Sequence, residues 1–386
     1  MQPTDGYVKT TIAGVPYLLP YGQQIADHSP SIRLNASGSL LWDALTAGAT
    51  QDELLALLAK EYDADPSDLP ALKKDLDCWL NALSRTGMLA SSRECVPPEN
   101  QQLFYWKIGP LVFSFDGPSE VFFEFFSDFS CAPDNSSVQR TDQHITVYTG
   151  SPAARKNGRI LIRTDELIIC DAGDEYHFLY SKSCGVREMH VTKDGSAAVL
   201  FVKPEYSPSD FSDMFHALRF AFLILAQNRE LYVLHSASIL YAGRAWLFSG
   251  ASGTGKSTHA ALWHDCYHTP HLNGDLNLLG IGTDSAPLVY GLPWCGTSGI
   301  RTAETYPLGG IVFLKQAPEN RAAIPAADEK ALLLIKRLIS PSWNEELLTK
   351  NIRFSERLTD LVPIFRLYCT AEPEAAETIR RAIDRL

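Results

Sequence analysis

The chain has 386 residues, of which 45% are hydrophobic, 20% charged and 10% aromatic, a composition typical of folded globular domains. Its formal net charge of −11 at pH 7 disfavours nucleic acid and anionic membranes as partners. The eight cysteines form no CxxC pair, no secretory signal is evident, and no apolar run reaches the ~18 residues of a membrane span. We therefore expect a cytoplasmic protein without disulfide bonds, nucleic-acid binding or membrane insertion.

The chain begins with strand signals. Residues 8–12 and 16–19 flank Ala13-Gly14-Val15, which predicts a β-hairpin, and residues 31–34 can form a third short strand.

Helix signals follow these strands. Asn35 is a suitable N-cap, Thr50 and Glu53 form a capping box, and Asp65-Pro66 combines a cap with a first-turn proline. Leucines at helical spacing follow each of these starts. We expect a small domain over residues 1–95 and a linker over 96–102, because residues 90–102 are mostly polar, contain Pro97-Pro98 and show no period.

Residues 103–230 are rich in turn signals and short apolar runs, which predicts a mainly antiparallel β region that ends in a helix at 211–227. The predicted strands of this region are 111–115, 121–126, 145–148, 160–162, 166–170, 177–180 and 198–202. Two further strands, 231–240 and 244–249, are predicted to open the next region, 231–386.

Residues 250–257 read Gly-Ala-Ser-Gly-Thr-Gly-Lys-Ser, which matches the P-loop pattern between a strand-like run and a potential helix. The glycines let backbone amides approach phosphate oxygens, and the helix N-terminus adds a favourable dipole. Lys256 offers a cation to the β and γ oxygens, and the Ser257 hydroxyl is a suitable Mg²⁺ ligand. We therefore predict a site for ATP or GTP with Mg²⁺. The residues predicted to contact the nucleotide are Gly250, Ser252, Gly253, Thr254, Gly255, Lys256, Ser257 and Thr258.

Two further polar residues lie near this loop in the sequence. The apolar run 310–314 ends in Lys315, so the aspartate that usually ends such a strand in P-loop NTPases is absent there. Asp275 instead follows Lys256 closely, and His235 shortly precedes the loop. A carboxylate near a hydroxyl can accept its proton while metal and lysine offset charge on a transferred phosphoryl group.

Residues 230–310 resemble HPr kinase/phosphorylase and related serine kinases of the phosphoenolpyruvate carboxykinase-like fold. The resemblance rests on His235, the P-loop and Asp275. The resemblance extends over residues 103–386. It implies a mixed-sheet kinase domain with 231–386 as the nucleotide-binding core, and a homo-oligomer as one possible assembly. In that family the aspartate acts as the base, so Asp275 is expected to be both base and metal ligand, with His235 lining the phosphate site.

The chain departs from this family at one position. The family usually has two adjacent aspartates, and Gly274 occupies the first of these positions here. The glycine-rich segment 290–301 occupies the place where the family closes its acceptor site. At its end, Arg301 is a candidate contact for a phosphate or an acidic peptide, with a structural turn as the alternative.

Residues 6–89 resemble the PqqD-like family, winged helix-turn-helix domains that bind leader peptides of ribosomally made natural products. The matching residues are Tyr17-Leu18-Leu19, Leu34 to Gly38, Leu41-Trp42, Gly48-Ala49-Thr50 and Leu83 through Leu89. The resemblance implies that a leader adds as an extra strand beside Ile32 and Arg33. It also implies contacts to the third helix, where Leu72, Leu76 and Trp79 are candidates for a peptide groove or, alternatively, for the core.

Together these features predict an α+β or α/β protein in which the first domain captures a precursor peptide by its leader. The second domain would then transfer the ATP γ-phosphate to a serine, threonine or tyrosine hydroxyl of that peptide. Two alternatives remain open. One is a catalytically weak ATP-binding protein that gates peptide delivery to another enzyme, and the other is a small-metabolite kinase. The histidines and cysteine of residues 259–271 lack a fixed zinc-ligand spacing.

Overall fold

The computed structural model describes residues 2–3, 6–22, 25, 30–86, 88–90, 97, 101–132, 141–150, 152, 158–181, 183–203, 206–207 and 210–386. The chain divides into two compact units, Met1–Glu94 and Cys95–Leu386. Most of the predicted linker lies outside the described residues, whereas residues 101 and 102 already belong to a strand of the second unit.

The first unit contains the predicted β-hairpin and a third strand. Its strands are β1 (Gln2–Pro3), β2 (Tyr7–Ile12), β3 (Val15–Pro20), β4 (Ile32–Arg33) and β5 (Leu89–Ala90). β2 and β4 pair antiparallel with the two sides of β3, and β1 pairs with β5. Ala13 (φ 51°) and Gly14 (φ 81°) form the hairpin turn in the left-handed region, as two-residue hairpin loops require.

Three helices of the first unit fall close to their predicted places: α1 (Ala36–Thr46), α2 (Gln51–Glu61) and α3 (Leu69–Arg85). The Asn35 side chain accepts from the Gly38 amide at 2.8 Å, and the capping box of α2 is complete. The predicted start of α3 at Asp65-Pro66 is wrong, because residues 65–68 form a separate turn. In that turn the Asp68 carboxylate accepts from the Asp65 amide at 3.1 Å.

Leucines dominate the core of the first unit. The fully buried members include Leu18, Leu41, Trp42, Leu45, Leu54, Leu58, Leu76, Leu80 and Leu83. Leu76 is only 1% exposed, so its side chain belongs to this core and is not available to a peptide groove. Leu72 and Trp79 are half-buried and remain accessible on α3.

The different burial of two leucines on α3 can be tested. Leu76→Ala should lower the free energy of unfolding of the first unit by about 2–5 kcal/mol because it leaves a cavity in the core. Leu72→Ala removes the same atoms from a half-exposed position and should cost distinctly less. Hydrogen exchange of α1, α2 and α3 in full-length protein at increasing urea measures both effects, and equal losses would contradict this assignment.

The second unit begins with a mixed sheet whose spatial order is β6–β7–β8–β13–β12–β11–β10–β9. Its strands are β6 (Gln101–Ile108), β7 (Leu111–Pro118), β8 (Gln143–Thr149), β9 (Arg159–Arg163), β10 (Leu167–Asp171), β11 (Glu175–Tyr180), β12 (Val186–Thr192) and β13 (Ala197–Val202). β8 runs parallel to β7 and β13, and the other neighbours pair antiparallel, as the turn-rich sequence predicts. The apolar side of α5 (Phe211–Asn228) packs on this sheet.

One predicted strand of this region is wrong. Residues 121–126 lie mainly in α4 (Ser119–Phe125). Short apolar runs do not distinguish strand from helix by themselves, and here the tertiary contacts favour the helix. Phe122 and Phe126 lie one turn apart and both stack on Trp106, with Phe126 at 4.3 Å between ring centroids, whereas Phe123 points to solvent.

A second sheet follows in the order β15–β14–β17–β18–β19–β21–β20, with β16 also paired to β14 and β19 also paired to β15. Its strands are β14 (Tyr232–Tyr241), β15 (Arg244–Ser249), β16 (His271–Asn273), β17 (Leu276–Ile281), β18 (Pro287–Tyr290), β19 (Thr305–Gln316), β20 (Arg321–Ala323) and β21 (Ile364–Cys369). β15, β19 and β21 run parallel to one another, so they end at one edge of the sheet.

The remaining helices of the second unit are α6 (Lys256–Tyr267), α7 (Ala327–Ile335), α8 (Glu345–Leu361) and α9 (Pro373–Ile383). α6 follows β15 directly through the glycine-rich loop, and α9 packs with it over an apolar cluster that includes Trp263 and Ile379. Among the described residues no helix is both long enough and apolar enough to cross a bilayer.

Candidate nucleotide and peptide sites

The glycine-rich loop connects β15 to α6, the strand–loop–helix order that its sequence predicts. Gly253 (φ 77°) and Gly255 (φ 97°) adopt left-handed backbone conformations that favour glycine. At Gly250 a Cβ atom would lie 2.6 Å from Thr254 Oγ1. The tight turn therefore requires glycine at these three positions, which leaves backbone amides free of side-chain obstruction.

Hydrogen bonds stabilise the backbone of the loop, while several hydroxyl side chains in and after the loop are exposed. The Thr254 hydroxyl donates to the Ala251 carbonyl at 2.8 Å, and the Gln316 amide, at the end of neighbouring β19, donates to the Gly253 carbonyl at 3.0 Å. Thr254 thus has a structural role within the loop. Ser252, Ser257 and Thr258 are exposed. A phosphate chain can therefore reach these hydroxyls and the first amides of α6.

Asp275 lies in a bend between β16 and β17, which both pair with β14. Asn273 shapes this bend: its buried side-chain oxygen accepts from the amides of Asp275 at 3.0 Å and Leu276 at 3.2 Å. The Ser236 amide donates to the Asp275 carbonyl at 2.8 Å. The position of Asp275 is therefore fixed from both strands, although its side chain remains about one-third exposed.

His235 links Asp275 to the glycine loop. His235 Nε2 lies 2.9 Å from Asp275 Oδ1. The Ser249 hydroxyl, directly before the loop, donates to the His235 carbonyl at 2.8 Å. The structure thus brings His235, Asp275 and the start of the loop together, as their spacing in the sequence suggests.

The charges of this cluster act on one another. The hydrogen bond from His235 is the main reason why the pKa of Asp275 lies below its usual value, and the positive charges of Lys256 and Arg219 act in the same direction. Burial lowers the pKa of Lys256, while Asp275 opposes that shift. At neutral pH the site therefore combines an ionised carboxylate with a partly desolvated lysine.

Two arginines near this cluster were not identified from the sequence. The positive charge of Arg219, on α5, helps to lower the pKa of Asp275. The positive charge of Arg337 helps to lower the pKa of Lys256. The carbonyl of Arg337 also accepts from the His235 amide at 3.0 Å. Both arginines lie far along the chain from the loop, so no local pattern could have pointed to them.

The segment after β18 packs against the Asp275 bend. The Gly274 amide donates to the Ile300 carbonyl at 3.1 Å, and a Cβ on Gly274 would overlap Ser298 Oγ. A Cβ on Gly296 would lie 3.0 Å from Asp275 Cβ. The first of the two adjacent aspartates that are usual in the similar kinase family would therefore have no room at position 274 unless Ser298 moved.

Arg301 closes this segment with an ion pair. Its Nε donates to Asp128 Oδ2 at 2.8 Å. In this structure the guanidinium therefore ties the segment to the region after α4, while its role as a contact for an acceptor stays a prediction.

The His264 and His271 rings lie 5.4 Å apart, but a ring nitrogen of each lies against a backbone carbonyl. His264 Nδ1 lies 3.1 Å from the Thr269 carbonyl and His271 Nε2 lies 2.6 Å from the Ala260 carbonyl. His259 is buried in α6, and burial lowers its pKa to about 4. Within the described residues this segment holds no metal-ligand cluster.

The first unit presents a strand edge on β4. Ile32 pairs with Leu18, and the Leu34 amide donates to the Pro16 carbonyl at 2.9 Å. Because backbone groups alternate along a strand, the Arg33 N–H and C=O point away from β3. Among the described residues no strand pairs with this outer edge.

Part of the first unit is similar to a known protein family. Residues 26–89 match the family of coenzyme PQQ synthesis protein D (PqqD). The first unit is PqqD-like. A similar solved structure is that of TbiB1 in complex with the TbiA(beta) leader peptide, which is 26% identical over 24% of this chain and 100% of that chain, with a TM-score of 0.21. No curated protein matches the chain significantly.

The effect of the His235 contact on the pKa of the Asp275 carboxyl can be measured. His235→Ala should raise the pKa of the Asp275 carboxyl because it removes the hydrogen bond that contributes most to its depression. Carboxyl ¹³C NMR of protein labelled at aspartate measures this pKa, and Asp275→Asn identifies the resonance.

His264→Ala is the matched control, since His264 contacts a backbone carbonyl instead of Asp275. A depressed carboxyl pKa stabilises the folded state above the unfolded value of about 3.9 and loses that contribution as pH falls. In His235→Ala the free energy of unfolding should therefore fall less as the pH is lowered through the acidic range. An Asp275 titration that is identical in wild type and His235→Ala would exclude the hydrogen bond as its cause.

Proposed function

We propose that this chain is an ATP-dependent kinase that phosphorylates a hydroxyl of a ribosomally made precursor peptide, which its PqqD-like unit holds by the leader. The observation that carries the kinase assignment is the contact of His235 with Asp275 beside the P-loop. The two residues and the loop form a compact site in which a phosphate donor and a hydroxyl acceptor can meet.

The loop residues support nucleotide binding. Open backbone amides at the start of α6 suit phosphate oxygens, and Lys256 suits the negative charge between the β and γ groups. The exposed Ser257 hydroxyl and the ionised Asp275 carboxylate are oxygen ligands of the type that Mg²⁺ prefers. Bound Mg²⁺ would offset the charge of the phosphates. The same groups accept ATP or GTP, since they contact phosphates and not the base.

The carboxylate supports transfer. In the proposed step the acceptor hydroxyl gives its proton to Asp275, its oxygen bonds to the γ-phosphorus, and the bond from that phosphorus to the β–γ bridging oxygen breaks, which releases ADP. With Nε2 protonated, His235 donates to Oδ1 of Asp275, so that Oδ2 remains open to the acceptor hydroxyl and to Mg²⁺. The low pKa of Asp275 means that it mainly orients the hydroxyl and accepts the proton late, as expected for a loose phosphoryl-transfer transition state.

The PqqD-like unit supports a peptide as the acceptor. Its β4 edge offers the outward N–H and C=O of Arg33, and half-buried Leu72 and Trp79 offer apolar contact on α3. These features suit an added peptide strand. Holding the leader would raise the local concentration of the attached core peptide into roughly the millimolar range, so the kinase site need not bind the core tightly.

A second function is favoured by a specific observation. Because Ser298 fills the space beside Gly274, the site has one carboxylate where the resembled kinases have two. A weakly active protein that uses nucleotide binding to gate peptide delivery would fit this difference. A kinase for a small metabolite is the third candidate. Mass spectrometry of peptides encoded by neighbouring genes, after incubation with ATP and Mg²⁺, separates the proposed function from the other two, because only the proposed function adds a phosphate to a peptide.

Two site variants should separate binding from transfer. Lys256→Ala should abolish nucleotide binding because it removes the cation from the loop. Asp275→Asn should preserve nucleotide binding within a few-fold but slow transfer by about 10²–10⁴-fold because the amide cannot accept the proton. Calorimetry measures the binding, and mass spectrometry of the peptide measures the transfer.

The matched control is Asp360→Asn, which makes the same chemical change at an exposed position on α8 and should leave both quantities unchanged. Full transfer by Asp275→Asn would remove this residue as the base. Nucleotide-dependent peptide binding by wild type with no change in peptide mass would favour gating.

The leader edge can be tested with proline. Arg33→Pro removes an outward N–H without breaking the β3–β4 hydrogen bonds, and it should weaken binding of a fluorescent leader peptide by about tenfold or more. Thr11→Pro makes the same change on the outer edge of β2, where the register also directs the N–H away from β3. Anisotropy should show that Thr11→Pro binds as wild type does, and equal weakening by both prolines would contradict binding at β4.

A further inference from the structure

Two Glu-X-His sequences lie side by side in the first sheet of the second unit. Glu175 and His177 belong to β11, and Glu188 and His190 belong to β12. His177 and His190 are direct cross-strand partners. Because side chains alternate between the two faces of a strand, all four point to the same face, opposite to the face that carries Tyr176 and its apolar neighbours.

The four side chains contact one another closely. His177 Nε2 lies 3.1 Å from Glu175 Oε2, and His190 Nε2 lies 2.8 Å from Glu188 Oε1. The two imidazole rings stack at 3.7 Å between centroids with an interplanar angle of 8°. One ligand atom each from Glu175, His177 and His190 falls within 4.8 Å of the others.

Two side chains of this cluster are almost completely buried. His177 is 3% exposed and Glu188 is 1% exposed. Burial is the main reason why the pKa of His177 lies below its usual value, although the hydrogen bond to Glu175 opposes the shift. Imidazole binds a metal in its neutral form, and burial favours that form of His177.

We propose that Glu175, His177 and His190 bind a divalent transition-metal ion, with Zn²⁺ as the reference ion, and that Glu188 orients His190. Two imidazoles and a carboxylate form a ligand set that suits Zn²⁺ and its neighbours, whereas Mg²⁺ prefers oxygen ligands only. This site is separate from the oxygen ligands Ser257 and Asp275 and does not depend on the proposed kinase function.

Binding requires a local rearrangement that the side chains can make. Zn–N distances of about 2.0–2.1 Å in a tetrahedral site place ligand atoms closer together than the present limit of 4.8 Å. The parallel rings also direct their nitrogens alongside each other, so one imidazole must rotate. The histidine χ2 torsion is broad, and β11 and β12 already hold the two Cα atoms in register. The bound ion would cross-link the two strands and stabilise this sheet.

Cobalt is a direct probe, since Co²⁺ replaces Zn²⁺ and absorbs visible light when bound by nitrogen and oxygen ligands. Chelator-treated full-length protein should bind one Co²⁺ per chain with a visible d–d spectrum, and Zn²⁺ should displace it while excess Mg²⁺ should not. Glu188→Gln should weaken binding by about 10–100-fold, the range expected for a residue that orients a metal-binding histidine. His177→Gln with His190→Gln should abolish the spectrum.

His264→Gln with His271→Gln is the matched control, because it removes another neighbouring histidine pair whose rings lie 5.4 Å apart and contact backbone carbonyls. This control should bind one Co²⁺ as wild type does. Absence of a spectrum in wild type, or its loss in the control, would overturn the site. Should the double His177/His190 variant fail to fold, the wild-type stoichiometry and the conservative Glu175→Gln variant, which should lose most of the affinity, still decide the matter.

Discussion

The contact between His235 and Asp275 is the interaction on which the candidate active site depends. It joins the middle of β14 to the bend between β16 and β17, and the Ser249 hydroxyl extends this connection to the end of β15, directly before the glycine loop. Because β14 pairs with strands on both sides, the bend and the loop are fixed relative to one another by backbone hydrogen bonds. Catalytic geometry built on such paired strands is more rigid than geometry built on loops alone.

Buried polar groups below the surface maintain this arrangement. Asn277 donates to Ser236 and accepts from the Ser238 hydroxyl at 2.7 Å, while Ser238 also accepts from the Asn273 amide at 3.0 Å. Satisfied buried networks of this kind favour a single arrangement of the backbone. The position of Asp275 is thus determined by residues that are buried from solvent.

Features set by neighbouring residues could be predicted from the sequence. The Asn35 cap, the Thr50–Glu53 capping box, the hairpin turn and the glycine loop each follow from local backbone chemistry, and the structure contains all of them. Features that depend on tertiary contacts could not. Residues 121–126 are apolar enough for a strand or a helix, and the packing of Phe126 on Trp106 favours the helix. The burial of Leu76, in contrast to Leu72, depends on which face of α3 meets α1 and α2. Arg219 and Arg337 are distant from the loop in the sequence, and only the fold brings them near the site.

Position 274 has an electrostatic consequence beyond its geometry. With glycine there, one carboxylate stands near Lys256, Arg219 and Arg337, so the immediate surroundings carry excess positive charge within a chain whose net charge is −11. At long range a polyanion is repelled by the net negative charge of the chain. Close to the loop it is attracted by Lys256, Arg219 and Arg337. Added salt shortens the range of both forces, so capture of the proposed nucleotide would depend on ionic strength in two opposing ways.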